Sequence, residues 1–583
     1  MSIQKIQRAV FRRLKKLPDL PALLKKNCIW KNRHDFYLPV EAFGCSKKNY
    51  NLQKSFSFSK NYKISIIVPL YNTPERDLKE MIGSVLFQTY ENWELCLSDG
   101  SDENHSYIEK VCREIAEKDN RIKYKKLADN GGISKNSNEC FKMVTGDYIA
   151  LLDHDDLLHP CALFEVIRSI NENNADFIYT DSAIFNSPGI AEIINTDFKP
   201  DFSPDYFSSI NYICHFSVFK SDLTAETGLF DSNTDGAQDF DLFLRLTEKA
   251  KSVVHVPKCL YYWRASNTST ANGIQVKQYA IEAGKLALIN HLKRCNIQAD
   301  VSCDRNFLYR INYVLKKQFL VSIIIINTDE QRTKECIDSI KKMSAYQNYE
   351  IIILELESEH DFSDNKIKQI KVQSLKNIPA LYNLAAKNAQ GDFLLFLSCN
   401  TTIMSEKWIE EMLMFAQRDD TGAVGGKLYK NNKIYNAGII FGINGLIGYS
   451  HRNRPANDNG YEFRAVTVQN LSAVTAECMM VSKKIYQELN GFDEKFTNAC
   501  YDIDFCIRLR ERKYLIVWTP FSELTYYKTK IPSGAIKTEK KLLKQKWNNV
   551  FTKRDTFYNP NLTLKNDSFA VTGTVFPDAE IPD

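Results

Sequence analysis

The feature that most constrains the fold of this 583-residue chain is a strand-like run that occurs twice. Residues 148–152 are continuously apolar and end in the acidic segment 153–156 (Asp-His-Asp-Asp). After Gly391-Asp392, residues 393–397 repeat the apolar run but lead into 398–400 (Ser-Cys-Asn). A buried strand with carboxylates at its C-terminal end is how an open α/β sheet presents a hard cation to a ligand. The sequence therefore predicts two copies of one fold, of which only the first has the acidic strand end.

The order of the other motifs supports a duplicated domain rather than a short repeat. Apolar strands alternate with helical segments in both copies, which predicts a mostly parallel sheet covered on both faces. The predicted parts are an N-terminal segment (1–60), a first domain (61–300), a second domain (316–535) and a tail (536–583). Matching positions are Ser65 with Ser322, Gly146-Asp147 with Gly391-Asp392, and Asp239-Phe240-Asp241 with Asp502-Ile503-Asp504.

Composition narrows the class of protein. A net charge of +5 over this length gives no case for nucleic acid as a partner. The 15 cysteines are scattered without a CxxC pair, which is typical of reduced thiols in a cytoplasmic protein. No apolar run reaches the ~18 residues that a membrane span needs, and the first residues lack the apolar core of a signal peptide. We expect a cytoplasmic protein.

The N-terminal segment departs from this even charge distribution. Apolar residues recur at helical spacing from Ile3 to Leu17, and six lysines and arginines fill the remaining faces. A basic amphipathic helix of this kind can lie on an anionic membrane surface, which would give peripheral contact with the cytoplasmic face of the inner membrane. A helix packed on the protein itself explains the pattern equally well, and both interpretations stay open.

Polar residues at strand ends are the candidate site of the first copy. Asp99 ends the second strand, and Asp153 and Asp155 follow the fourth, so all three should meet at one crevice. The glycine-containing loop 130–134 suits a nucleotide, and spaced carboxylates suit the Mg²⁺ or Mn²⁺ that accompanies its diphosphate. A single aspartate at a strand end usually serves a turn, but an ordered set predicts a ligand site.

The last acidic element is Gln238-Asp239-Phe240-Asp241, which precedes a helical pattern. A carboxylate at a helix start is often a cap. Either aspartate can instead be a general base that faces the crevice, and the pattern alone leaves both roles open.

These motifs together resemble the inverting family 2 glycosyltransferases, which have the GT-A fold. Stretches around 199–205, 211–212 and 262–264 are similar to the bacterial branch that builds O-antigens, capsules and other surface polysaccharides, often described as rhamnosyltransferases. The resemblance covers about 60–275 and returns over about 318–530. It implies two tandem GT-A (Rossmann-like) domains. It also implies transfer of a hexose or deoxyhexose from a nucleotide-sugar donor to a growing lipid-linked polysaccharide, with inversion.

The resemblance implies a role for each matching position of the first copy. Pro69, Tyr71 and Asp99 would hold the nucleotide base and ribose, Asp153 would lie near the ribose and metal, Asp155 would bind Mg²⁺ or Mn²⁺, and Asp239 would be the catalytic base. Many relatives supply a further metal-binding histidine after the Trp-Arg element, whereas 265–267 here are Ala-Ser-Asn.

The second copy departs further from the pattern. Asn400 and Ser398 stand where acids are expected, and the Asp-Gly-Ser turn becomes 355–357 (Glu-Leu-Glu), while Asp502 and Asp504 remain. Loss of two carboxylates removes most of the field that concentrates a dication, so we expect a degenerate second domain. One alternative is a bifunctional enzyme in which Asp502 serves a metal-independent second transferase. Another is a non-catalytic glycan-binding or assembly protein, against which the intact first set argues. A nucleotidyltransferase would need a glycine-rich basic loop after the first strand, and residues 69–74 contain none.

Overall fold

The computed structural model of the chain describes residues 43–186, 193–265, 274–305, 307–356, 364–527 and 533–581. The predicted N-terminal amphipathic helix therefore lies outside the described residues.

Contacts divide the chain into two compact units. The first holds the described residues up to Phe198, together with Ile213–Ala280 and the described residues from Thr574. The second holds Lys199–Tyr212 and Ile281–Gly573. A short segment from the middle of the first sequence copy thus belongs to the second unit, and the C-terminal segment belongs to the first.

The elements of the first unit alternate as the sequence predicts. In chain order they are α1 (Lys47–Ser55), β1 (Ile64–Leu70), α2 (Glu75–Leu86), β2 (Trp93–Asp99), α3 (Tyr107–Lys118), β3 (Ile122–Lys126), α4 (Ile133–Phe141), β4 (Tyr148–Leu151), β5 (Leu157–Leu158), α5 (Ala162–Asn173), β6 (Phe177–Asn186), β7 (Ile193–Asp197), β8 (Ser217–Lys220), α7 (Leu223–Thr227), α8 (Gln238–Lys249) and β9 (Val253–Ala265).

The second unit begins with α6 (Pro204–Ser209) from the inserted segment, and α9 (Ile274–Arg294) contains the boundary between the units. The remaining elements are β10 (Ala299–Arg305), β11 (Leu308–Tyr313), β12 (Val321–Ile326), α10 (Glu330–Met343), β13 (Tyr349–Leu356), β14 (Ile367–Val372), α11 (Ile378–Asn388), β15 (Phe393–Ser398), β16 (Thr401–Ile403), α12 (Trp408–Ala416), β17 (Thr421–Lys430), β18 (Lys433–Asn436), β19 (Ile439–Phe441), β20 (Ile447–Tyr449), β21 (Gln469–Asn470), β22 (Cys478–Ser482), α13 (Lys483–Glu488), α14 (Tyr501–Glu511), β23 (Leu515–Tyr526), α15 (Ser533–Lys546) and α16 (Asn548–Phe551).

The two main sheets have the same strand order. The first runs β3-β2-β1-β4-β8-β6-β9-β5, and the second runs β14-β13-β12-β15-β22-β17-β23-β16. The first four strands of each order are parallel, and β8 and β22 pair antiparallel to their neighbours β4 and β15. This match confirms the predicted α/β fold with two tandem domains.

The central strands explain why their sequences are continuously apolar. The side chains of β12 are all buried, and those of β1 are buried except for the half-buried Pro69. Helices on both faces of a parallel sheet leave no solvent-facing side, so alternation disappears. Polar side chains are then confined to the strand ends, and Leu70 of β1 pairs with Asp99 of β2 at that edge.

Candidate active site

The carboxyl ends of β1, β2 and β4 lie side by side in the first sheet and carry the predicted site residues. Asp99 is the last residue of β2, and Asp153 and Asp155 follow β4. We call this edge, together with Asp239, the first site. Asp239 belongs to it because it lies close enough to Asp153 for that charge to raise its pKa.

Asp99 is buried and held by three donors. Its carboxylate accepts hydrogen bonds from the Tyr124 hydroxyl (2.6 Å), the Lys126 ammonium (3.1 Å) and the backbone N–H of Ser101 (2.8 Å). The two neighbouring candidates are more accessible, since Pro69 is half-buried and Tyr71 is 47% exposed. Asp99 is therefore fixed, while Tyr71 is free to contact a ligand at the rim.

The aspartates of the acidic segment after β4 differ in burial and in hydrogen bonding. Asp156 is fully buried, where its carboxylate accepts hydrogen bonds from the Tyr261 hydroxyl (2.5 Å) and the Arg264 backbone N–H (2.7 Å). Asp153 is exposed at the site and Asp155 is half-buried. Asp156 ties the segment to β9, and this leaves Asp153 and Asp155 to face a ligand.

The side chain of Arg264 holds this acidic segment in place. Its guanidinium donates to the backbone oxygen of Asp155 (2.6 Å) and to the Glu80 carboxylate of α2 (2.7 Å), and its side chain is 1% exposed. The arginine of the predicted Trp-Arg element therefore acts as a buried clamp between β9, the acidic segment and α2.

The donor set fits a divalent cation. Partial burial removes solvent from Asp155 and so raises its pKa, and the negative charge of Asp153 raises it further. The positive charges of His154 and Arg264 lower it. Crowded carboxylate oxygens of this kind are the ligands that Mg²⁺ and Mn²⁺ prefer, and a cation would relieve their repulsion.

The structure separates the two aspartates at the start of α8. Asp241 is buried and accepts two hydrogen bonds from the Arg245 guanidinium (2.6 and 2.9 Å). Asp239 is half-buried, and its carboxylate accepts a hydrogen bond from the N–H of the adjacent Phe240 (2.8 Å). Burial raises the pKa of Asp239, and His215 opposes that shift. Asp241 is therefore held by Arg245 of its own helix, whereas Asp239 lies close to Asp153 and His215 at the first site.

His215 is a site residue that sequence reasoning missed. It precedes β8, its ring stacks on Tyr261 at a centroid distance of 4.9 Å, and it lies close enough to lower the pKa of Asp239. A lone histidine outside any acidic motif gives no sequence signal, and only the antiparallel pairing of β8 with β4 brings it to the acidic edge.

We predict that Asp241→Ala lowers the free energy of unfolding by about 3 kcal/mol, because removing one partner of a buried ion pair leaves the other charge uncompensated. Urea denaturation followed by tryptophan fluorescence measures the change. Asp239→Ala is the matched control in the same helical turn, and an equal loss in both variants would contradict the distinction.

Comparison with known proteins decides the family. The sequence profile described as "Glycosyl transferase family 2" matches residues 65–220 and again 321–489, together more than half of the chain. The chain belongs to glycosyl transferase family 2. The two matches fall on the two sheets, so both units contain a family 2 domain.

Two similar relatives are longer than this chain. "Uncharacterized protein y4gI" of Sinorhizobium fredii is 35% identical over 87% of this chain and 58% of its own length. "O-antigen biosynthesis protein RfbC" of Myxococcus xanthus is 29% identical over 87% of this chain and 41% of its own. The chain thus spans about half the length of these relatives. Among solved structures, Staphylococcus aureus TarS 1–349 in complex with UDP-GlcNAc is 20% identical with a TM-score of 0.33, and the match covers 40% of this chain and 66% of TarS 1–349.

The second family 2 domain has different chemistry at the same sheet edge. We call the edge that carries Glu355, Ser398, Asn400 and Asp502 the second site. Glu355 ends β13 nearly as Asp99 ends β2, and its carboxylate is held by Lys371 (2.8 Å), Gln369 (2.7 Å) and Asn327 (3.2 Å). Asn400 is 5% exposed. The end of β13 thus keeps a fixed acid, whereas Ser398 and Asn400 at the end of β15 supply no carboxylate.

The two aspartates at the start of α14 differ from each other in the same way as Asp239 and Asp241 of the first domain. Asp504 is buried against Arg508 (2.9 Å), whereas Asp502 is half-buried and accepts a hydrogen bond from the N–H of Ala476 (3.1 Å). Asp502 is therefore the acid of the second site that corresponds to Asp239.

Three side chains outside the two sites form a buried cluster that sequence spacing did not predict. The Cys45 sulfur lies 3.4 Å from that of Cys161 and 3.7 Å from Nε2 of His159. Nε2 of His159 also lies 2.9 Å from the carbonyl oxygen of Phe43, and its Nδ1 accepts the N–H of Cys161 (3.2 Å). Both ring nitrogens are thus used within the protein, and the cluster fastens the segment before α1 to the first domain.

Within the part of the chain that the structure describes, no helix is both long and apolar enough to cross a membrane.

Proposed function

We propose that this chain is a metal-dependent inverting glycosyltransferase that moves a sugar from a nucleotide-sugar donor to a growing lipid-linked surface polysaccharide. Family membership supports glycosyl transfer. The name of the Myxococcus relative, an O-antigen biosynthesis protein, supports a surface polysaccharide as the product class. A hexose or deoxyhexose is the sugar class that we propose.

The observation that carries the proposal is the position of Asp239 close to Asp153 and His215. Asp241, two residues later, is saturated by Arg245, whereas Asp239 lies near Asp153 with its pKa raised. A carboxylate with a raised pKa is a stronger base once ionised. In the proposed reaction Asp239 takes the proton of the acceptor hydroxyl as that oxygen attacks the anomeric carbon opposite the leaving diphosphate, which inverts the configuration.

The other residues of the first site would bind the donor. Pro69, Tyr71 and the fixed Asp99 would hold the base and ribose, and Asp153 would lie near the ribose. Asp155, with Asp153 beside it, would hold Mg²⁺ or Mn²⁺, which when bound stabilises negative charge on the leaving diphosphate. Arg264 positions Asp155 through its backbone oxygen.

We further propose that the second domain has lost transfer activity. Ser398 and Asn400 supply no carboxylate where Asp153 and Asp155 stand in the first domain. The bifunctional alternative rests on Asp502, which retains the place of Asp239 at the start of its helix. A non-catalytic glycan-binding protein is disfavoured by the complete acid set of the first site.

The test is nucleotide release from a panel of nucleotide sugars, with Mn²⁺ or Mg²⁺ and a crude lipid-linked acceptor fraction. We expect at least one donor to be consumed only when both the acceptor and the cation are present. Consumption that is unchanged by a chelator would contradict metal dependence, and no consumption of any donor would contradict the proposed activity.

A cytoplasmic protein that acts on a lipid-linked acceptor needs access to the membrane surface, and we propose that residues 1–20 provide it. Deleting these residues is expected to lower recovery of the protein in the membrane fraction, because the basic amphipathic segment would no longer contact anionic lipid. Fractionation of cells that express the full and shortened chains measures this. An unchanged distribution would favour a helix packed on the protein itself.

A further inference from the structure

Strand register shows which residue of the second domain replaces His215. Tyr148 of β4 pairs with Lys220 of β8, and the equivalent Phe393 of β15 pairs with Ser482 of β22. His215 precedes Lys220 by as many residues as Glu477 precedes Ser482. Glu477 therefore occupies the position of His215. Asp502 and Asp239 are each the second residue of their helix. In the first site the imidazole of His215 lies beside Asp239. In the second site the carboxyl group of Glu477 lies beside Asp502 instead.

This exchange changes the charge of the second site. Burial raises the pKa of Glu477 to about 7, and the neighbouring Asp502 contributes to the shift. Burial also raises the pKa of Asp502 to about 6, although the N–H groups of Ala476 and Ile503 oppose it. Groups that are partly protonated near neutral pH attract a dication weakly and can donate hydrogen bonds as well as accept them.

Hydroxyl groups and aromatic rings surround this pair of acids. The Thr475 hydroxyl donates to Glu477 (2.8 Å), and Tyr526 lies close enough to Glu477 to lower its pKa. The rings of Tyr526 and Tyr435 stack at 4.6 Å, and the half-buried Tyr449 lies beside Tyr435 at 5.5 Å. Aromatic faces combined with a few convergent polar groups are typical of sites for small polar organic ligands.

One polar atom at this edge has no partner. Asn400 is only 5% exposed, and its buried Oδ1 atom has no hydrogen-bond donor among the described residues. Backbone hydrogen bonds connect Asn400 and its neighbour Ser398 to the strands that carry the tyrosines and Glu477. The backbone oxygen of Asn400 accepts the N–H of Tyr527 (2.8 Å), and the N–H of Ser398 donates to the backbone oxygen of Glu477 (3.1 Å). An unpaired buried acceptor is costly in a purely structural network, whereas a ligand hydroxyl would satisfy it.

We propose that Asn400 and Asp502 of the second site, together with the adjoining Glu477 and Tyr449, bind a saccharide through its hydroxyl groups and without a metal ion. The choice of a saccharide as the ligand class rests on the proposed function. The site would hold part of the glycan while the first site transfers sugar.

The test is saturation-transfer NMR on the full chain in EDTA. The probes are neutral oligosaccharides of glucose, galactose, rhamnose, N-acetylglucosamine and N-acetylgalactosamine, with glucuronate-containing counterparts. We expect at least one neutral oligosaccharide to bind. Asn400→Ala and Glu477→Ala should each weaken that binding by about tenfold, as the loss of one or two hydrogen bonds to a buried group would. Glu477→Gln, which keeps the shape and hydrogen-bonding capacity, should bind nearly as the wild type does.

Two controls separate this proposal from the proposed function. Asp155→Ala alters only the first site and should leave saccharide binding in EDTA unchanged. Asn453→Ala changes an exposed asparagine of the same unit and should also have no effect. The proposal is wrong if no oligosaccharide binds, if binding requires Mn²⁺, or if it responds to Asp155→Ala but not to Asn400→Ala with the variants equally folded by circular dichroism. Nucleotide release by the wild type reports on the first site separately.

Discussion

Asp239→Asn is expected to reduce sugar transfer by about 10²- to 10⁴-fold, the range that a positioned general base contributes. The amide keeps the shape of the side chain but cannot take the proton of the acceptor hydroxyl. Asparagine has nearly the same size as aspartate, and its amide oxygen can still accept the N–H of Phe240, so the substitution should leave the fold intact. Initial rates of nucleotide release, measured with the active donor and acceptor, test this prediction.

Donor affinity distinguishes a lost base from a lost binding site. Calorimetric titration of the Asp239→Asn variant with the donor and Mn²⁺ should give nearly the wild-type dissociation constant. Asp502→Asn, the matched change in the second domain, should retain transfer. Retained transfer in Asp239→Asn would remove Asp239 as the base, and loss of transfer in Asp502→Asn would favour the bifunctional enzyme.

Asp155→Ala is expected to weaken Mn²⁺-dependent donor binding by at least about 100-fold, since even outer-shell changes at metal sites cost about 10- to 100-fold. Arg264 contacts the backbone oxygen of Asp155 rather than its carboxylate, so the clamp on the segment survives the substitution. Titration of the donor in Mn²⁺ and in EDTA measures the cation-dependent part of the affinity.

Asn400→Ala is the matched control, because Asn400 follows the equivalent strand β15 in the second domain. It should leave Mn²⁺-dependent donor binding unchanged. If Asp155→Ala keeps its Mn²⁺ dependence, the metal assignment is wrong. If Asn400→Ala loses part of it, the second domain also binds a donor, and the view that it has lost transfer activity is wrong.

The site could be predicted in part from the sequence because most of its residues sit at fixed places on strands and helices. Asp99, Asp153 and Asp155 follow buried strands, and parallel strands end at a common edge. The structure brings them together as that rule requires. The residue pattern alone left the choice between Asp239 and Asp241 open, since both lie in the first turn of α8, and only the family resemblance pointed to Asp239. Only the position of Arg245 relative to them decides which carboxylate is neutralised.

His215 and Glu477 mark the limit of sequence reasoning more clearly. Neither lies in an acidic motif, and each reaches its site because an antiparallel strand returns alongside β4 or β15. Their equivalence appears only when residues are matched by strand pairing, because the loops between the strands differ in length. A residue far along the chain can therefore change the chemistry at the end of β4 or β15, and the sequence around that strand does not reveal it.

The sequence by itself determined the duplicated α/β fold, the family and the contrast between an acidic and a neutral strand end. These depend on local patterns: apolar runs, their order and the residues that terminate them. The tertiary structure decided which acids are saturated by buried arginines, which histidine lies beside Asp239, and that residues 199–212 belong to the second unit. Those outcomes depend on contacts between residues far apart in the chain, and such contacts are set by packing rather than by periodicity.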